Sequence, residues 1–226
     1  MKDLKTLIVL AHPEYEDSNT QQFLIASTKN LKDVSIRYLD EEKIDKREEK
    51  ELLKEADRII FQFPMYWYSA PFLLKRWLDE VFDDSLIVNG LKNKELGLVV
   101  TMGLSQEDFA AGRSEKFTLS EIFRPFEALA NKCQMTYLPI FPVALFPYLS
   151  EVNKKKILID YQMYLTKQNE TNFKNKEDWF VSRLESLKEK STNQESINHV
   201  LESLKDNRET LDDLLVLVKE MRLEDE

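Results

Sequence analysis

Four large side chains, Met65, Tyr66, Trp67 and Tyr68, stand directly after the apolar run Ile59 to Phe63, which Pro64 closes. Proline has no amide hydrogen to give to a sheet, so a buried strand ends there. Flat and soft side chains at the carboxyl end of a parallel strand suit the stacking of a planar ligand, because ligands bind at that edge of an open α/β sheet. The plainer reading is that these residues cover the end of the core. A second group has the same placement. The apolar run Leu7 to Ala11 ends in His12-Pro13, and Ser18 stands where the next helix begins. A hydroxyl cap at a helix amino terminus facing a strand end is a natural anion site. An ordinary cap with no ligand is the alternative. Glu14, Glu16 and Asp17 flank this loop, so an anion there would rest on amides, hydroxyls and His12.

The elements that must position these groups follow from periodicity. Leu7 to Ala11, Asp57 to Phe63 and Leu96 to Thr101 read as strands buried on both faces, while Val34 to Leu39 alternates like a strand nearer an edge. Met135 to Val143 reads as a fifth strand, interrupted by Pro139 and Pro142 and so at a sheet edge. Between the strands, helices are expected after Ser18, over Lys46 to Ala56, from Pro71 with Ser69 as its cap, and over Ser114 to Lys132 with a break at Pro125. In the third of these, Leu74, Trp77, Leu78 and Val81 share one face. Ser150 to Leu165 supplies a last helix. Alternating strands and helices predict a doubly wound, flavodoxin-like five-stranded parallel sheet of order 2-1-3-4-5, followed by a C-terminal helical extension. In that order the ends of strands one, three and four surround one crevice.

The stretch Pro64-Met65-Tyr66-Trp67-Tyr68-Ser69-Ala70-Pro71, followed by Leu73 to Phe82, resembles the signature of the NAD(P)H quinone oxidoreductase family. This family includes DT-diaphorase-like enzymes and the ancillary flavoproteins of glutathione-gated potassium efflux systems. The resemblance covers residues 1 to about 168. It implies a flavin cofactor, FMN with FAD as the alternative, reduced by NADH or NADPH. It also implies ping-pong use of one ring face, so that the nicotinamide leaves before the acceptor enters. The acceptor would be a quinone-like, azo or nitro compound. Carried over residue by residue, the resemblance places the flavin phosphate by His12, Ser18, Asn19 and Gln21, with Gln21 where many relatives have asparagine. It places the ring against Pro64, Met65, Tyr66, Trp67 and Tyr68. Thr101, Met102, Gly103 and Leu104 occupy the place of the family's Thr-Thr-Gly-Gly loop and keep half of that pattern. Phe109 and Ser114 stand at the catalytic positions where relatives carry a tyrosine and a histidine. Neither can perform the histidine's acid-base role, so the flavin must supply the main chemistry. Trp67, Tyr68 and Phe109 would wall the pocket.

Composition narrows the field. The chain has 226 residues and a net charge of -9, with a pI near 5.0, which argues against nucleic acid or an anionic membrane as partner. One cysteine, Cys133, and two histidines, His12 and His199, exclude an internal disulfide and a typical zinc cluster, so no metal is expected. No stretch approaches a membrane span, and a cytoplasmic location is expected. Residues 1–168 form the expected flavin-binding domain, joined through a polar linker, Lys167 to Lys176, to residues 169–226. This tail has no glycine or proline and carries 15 acidic against 9 basic residues. Its amphipathic helices cannot bury their stripes alone. They complete the fold or serve as an oligomerisation or partner-binding arm, consistent with a homodimer. The expected activity is two-electron transfer to a small-molecule acceptor. The alternatives are a non-catalytic flavodoxin-like regulatory subunit and a protein whose tail is the functional part.

Overall fold

The computed structural model describes residues 4–40, 44–167, 173–189 and 191–224. The chain divides into two compact units, Met1–Thr166 and Lys167–Glu226. In the first, strands β1 (Thr6–Leu10), β2 (Val34–Tyr38), β3 (Arg58–Pro64) and β4 (Glu95–Met102) pair in parallel in the order β2-β1-β3-β4. The fifth position is split between β5 (Thr136–Tyr137) and β6 (Phe141–Ala144), both parallel to β4. Pro139 lies in the gap. The single fifth strand expected from the sequence is therefore two short ones, since a residue without an amide proton interrupts the ladder.

Every residue of β1 and β3 is buried. Alternate residues supply two cores, one on each sheet face. Ile8, Ile60 and Val99 meet Leu24 of α1 (Asn19–Thr28) and Tyr161 and Leu165 of α6 (Glu151–Thr166). Leu7, Val9, Ile59, Phe61, Leu98 and Val100 meet the opposite layer. That layer comprises α2 (Lys46–Glu55), α3 (Phe72–Val81), α4 (Leu119–Ile122) and α5 (Arg124–Lys132). Trp77 of α3 is 1% exposed and stands edge-on to Phe61, with centroids 5.9 Å apart at 81°, and to Phe82 at 5.8 Å.

One glycine fixes the fit of a helix. A Cβ on Gly97 would lie 2.3 Å from the Tyr164 hydroxyl and 2.7 Å from Ile60 Cδ1, so β4 leaves that space for α6. Tyr164 then donates to the Pro139 carbonyl at 2.9 Å.

The broken helix expected over Ser114 to Lys132 consists of a turn, then α4, then α5. α5 carries Pro125 in its first turn, where the missing amide costs no hydrogen bond. The polar connection after α3 contains a short π-helical turn, Leu86–Gly90, with Leu86 and Leu91 buried beneath it.

The second unit contains α7 (Phe173–Lys188) and α8 (Gln194–Glu224). Arg208 of α8 pairs with Glu177 in the first turns of α7. Beyond Arg208, about four more turns of α8 carry Leu211, Leu214, Leu215, Val216, Leu217, Val218 and Met221, all between 36% and 65% exposed. Half of the expected linker, residues 168–172, lies outside the described residues, and its last four residues belong to α7.

Candidate flavin site

Three connections leave the carboxyl ends of neighbouring strands β1, β3 and β4, and backbone hydrogen bonds hold these ends together. Ala11 N donates to Gln62 O at 2.9 Å, and Met65 N donates to Thr101 O at 2.9 Å. The strand order reverses between β1 and β3, which makes this the switch-point crevice of the sheet.

The first connection ends at Ser18, the cap of α1, whose hydroxyl oxygen accepts the Gln21 amide at 3.3 Å. Its proton is left to donate. Asn19 and Thr20 follow in the first turn, where amides have no partner within the helix. Upstream, Glu14 N donates to His12 Nδ1 at 3.0 Å. An Nδ1 that accepts must be unprotonated in the neutral ring, so the proton sits on Nε2 and that edge donates. Partial burial holds the His12 pKa below its ordinary 6.5, against the opposing pull of Glu14. Glu14, Glu16 and Asp17 are exposed to solvent.

The second connection has a backbone conformation that residue types do not announce. Tyr66 and Ser69 exchange both backbone hydrogen bonds, at 2.9 and 3.0 Å, and Trp67 and Tyr68 between them have φ of +50° and +62°. Positive φ at both central residues of a two-residue hairpin is the type I′ arrangement, which strongly prefers Asn-Gly. Bulky side chains there store strain, a feature that clusters at functional sites. The turn holds Trp67 94% exposed, with Tyr66 at 46% and Tyr68 at 51%. Ser69 is thereby engaged in the turn and is not the cap of α3. Pro71 takes that place with no side-chain cap. Tyr68 donates its hydroxyl to Glu115 at 2.7 Å, and this hydrogen bond to a carboxylate raises the Tyr68 pKa. Glu115 thus ties the aromatic turn to the connection after β4. The sequence reading missed Glu115, and a lone loop carboxylate carries no local signal of such a role.

The third connection begins at half-buried Thr101 and buried Met102 and continues through exposed Gly103 and Leu104. A Cβ on Gly103 would meet nothing within 4 Å, so the backbone there is open to close approach. Phe109 does not wall an open pocket. It is 3% exposed and packed into the core on the α3–α5 face. Ser114 is exposed and donates to Asp108 at 2.9 Å.

Behind the crevice lies a chain of buried polar groups. Tyr161 of α6 donates to Gln62 Oε1 at 2.6 Å, Gln62 Nε2 donates to Gln21 Oε1 at 2.6 Å, and Gln21 Nε2 reaches Thr101 Oγ1 at 3.4 Å. Gln62 interrupts the otherwise apolar strand sequence Ile59-Ile60-Phe61-Gln62-Phe63. That interruption is the signal that could have found it.

Among the described residues no cluster of histidine, cysteine and carboxylates could hold a metal ion. Among those residues no helix is long and apolar enough to cross a membrane. The arrangement instead offers an anion cradle on α1, a flat apolar platform on the turn after β3, and open backbone after β4. Cradle and platform together fit a phosphorylated planar ring. With a flavin bound there, the cofactor would supply hydride acceptance and release. The side chains described here would bind it, orient it and cover one edge.

Comparison with known proteins agrees with this fold. Residues 4–162 match the flavodoxin-like fold family. The chain is 37% identical over 169 residues to YrkL of Bacillus subtilis (strain 168), named an uncharacterized NAD(P)H oxidoreductase, covering 70% of this chain and 97% of that protein. The crystal structure of an NADPH-quinone reductase from P. pentosaceus superposes with a TM-score of 0.71 at 45% identity, over 74% of this chain and all of that one. General stress protein 14 of Treponema denticola, solved in complex with FMN, superposes with a TM-score of 0.63 at 30% identity, over 71% and 97% of the two chains.

Proposed function

The chain belongs to the flavodoxin-like fold family, and from that premise we propose that it is a flavin-dependent NAD(P)H quinone oxidoreductase. The observation that carries this reading is the convergence of the β1, β3 and β4 connections on one crevice with an anion cradle and an aromatic platform. The FMN bound to a 30%-identical relative supports FMN over FAD. In this reading Ser18, His12 Nε2–H and the first-turn amides of α1 hold the phosphate. Pro64, Met65 and Tyr66 back the ring, with Trp67 and Tyr68 forming the exposed side of the platform. Thr101 and Gly103 border the ring's polar edge. Hydride arrives from NADH or NADPH on the open face, and the acceptor later uses that same face.

Because positions 109 and 114 offer no proton relay, protons must reach a reduced quinone from water. Turnover should therefore be supported without any titrating side chain of the relatives' kind. The test is steady-state NADH and NADPH oxidation by FMN-loaded protein with a benzoquinone. Turnover that depends on both FMN and quinone is expected. A protein that retains FMN but oxidises neither nucleotide would instead favour a non-catalytic regulatory subunit.

For Lys167–Glu226 the reading is self-association. The exposed residues Leu214 to Val218 are apolar all round the helix, a pattern that calls for burial. Asp212 and Asp213 precede this segment, and Lys219 and Arg222 follow it. An antiparallel second copy brings the acidic end of one helix beside the basic end of the other. In sedimentation of the full chain, Asp213→Lys should weaken self-association several-fold, and adding Lys219→Asp should restore it. Equal sedimentation of all three proteins would contradict the pairing.

A further inference from the structure

We propose that the buried chain Tyr161–Gln62–Gln21 sets the direction of the Thr101 hydroxyl, committing it as a hydrogen-bond donor to an acceptor atom on the flavin ring. This rests on the flavin reading above and specifies what its β4 edge recognises.

Tyr161 is fully buried, and its one hydrogen-bond partner among the described residues is Gln62. Gln62 offers either its carbonyl oxygen or its amide group. A buried phenol that donates nothing leaves a costly unpaired proton, so the carbonyl must face it. Burial also raises the Tyr161 pKa, so the phenol stays protonated. Once the Gln62 oxygen faces Tyr161, its amide faces Gln21. Gln21, itself 0% exposed, must then present its oxygen to Gln62 and its own amide to Thr101. Thr101 Oγ1 therefore accepts, and its proton remains to be given away. No described residue takes that proton, and Thr101 is half-exposed at the crevice.

With the opposite direction the hydroxyl would accept instead, and it would suit a ring N–H. The phenol on α6 excludes that direction from the other side of the core. A hydroxyl fixed as a donor favours ring oxygens and unprotonated nitrogens. It favours them more once reduction has placed negative charge on the ring. Tyr161, Gln62 and Gln21 are thus positioning residues, acting through Thr101.

The experiment measures FMN affinity and the two-electron midpoint potential for wild type, Thr101→Val, Thr101→Ser and Tyr161→Phe. Thr101→Val and Tyr161→Phe are nearly isosteric, and Thr101→Ser removes one methyl. Thr101→Val and Tyr161→Phe should each lower the preference for reduced over oxidised flavin three- to tenfold. For a two-electron couple this moves the potential down by about 15 to 30 mV. Thr101→Ser, which keeps the hydroxyl, should stay near wild type. A purely structural role would weaken both redox forms alike and leave the potential in place. An unmoved potential in Tyr161→Phe, whatever Thr101→Val does, would overturn the proposal while leaving the flavin reading intact. Wild-type protein that fails to retain FMN would overturn the flavin reading, and this proposal with it.

Discussion

Trp67→Asn should make the ligand-free protein more stable and the flavin complex weaker. Trp67 has φ of +50° at the first central position of a type I′ turn and is 94% exposed. A bulky L-residue in this conformation costs about 1–2 kcal/mol, whereas asparagine tolerates it. Almost no packing is lost, because the indole has almost none. The stability gain should be about 1 kcal/mol, raising the melting midpoint of the apo-protein by about 2–4 °C. An indole stacked on a flat heterocycle contributes about 1–3 kcal/mol, so FMN affinity should fall about tenfold or more. Calorimetric melting and fluorescence titration with FMN check the two halves separately. A less stable variant would mean that the turn is unstrained, and unchanged affinity would place Trp67 outside the ligand contact. Opposite signs in one substitution are the mark of a residue kept for binding at the expense of folding.

The second large effect concerns the helix behind that turn. Trp77→Ala should destabilise the protein by about 3–5 kcal/mol, because it removes a fully buried indole and leaves a cavity against Phe61 and Phe82. That is a large share of the roughly 5–15 kcal/mol that holds a typical domain together. Trp77→Phe keeps part of the volume and should lose distinctly less. Denaturant unfolding followed by far-ultraviolet circular dichroism measures both. A loss under about 1 kcal/mol for Trp77→Ala would show that the core closes around the gap and that α3 is not anchored by this residue. The two tryptophans stand ten positions apart and their substitutions should have opposite effects on stability, because Trp77 is packed and Trp67 is displayed.

Much of the framework was legible because burial on both faces leaves continuous apolar runs. Leu7 to Ala11, Ile59 to Phe63 and Leu96 to Thr101 could hardly be anything but central strands, and the Leu74, Trp77, Leu78, Val81 stripe fixed the inner face of α3. The order β2-β1-β3-β4 then placed the three connections together. The turn Tyr66–Ser69 was not legible, since nothing in a Trp-Tyr pair announces a conformation that Asn-Gly usually takes. Phe109 was set at a pocket wall by its resemblance to a relative's tyrosine. Without a hydroxyl to satisfy, its ring goes into the core instead. Contacts between residues distant in sequence, such as Tyr68 with Glu115 and Tyr161 with Gln62, leave no periodic trace. Gln62 alone was visible as a polar residue inside an apolar strand.

The central claim is that one crevice on this chain holds a flavin that a nicotinamide nucleotide reduces. Its most direct test is the visible spectrum of purified protein loaded with FMN, freed of excess by gel filtration, and then mixed anaerobically with NADH or NADPH. The expected result is a retained flavin spectrum that bleaches on addition of one or both nucleotides and returns when a quinone is added. Protein that emerges colourless from the column, or flavin that no nucleotide bleaches, would contradict it.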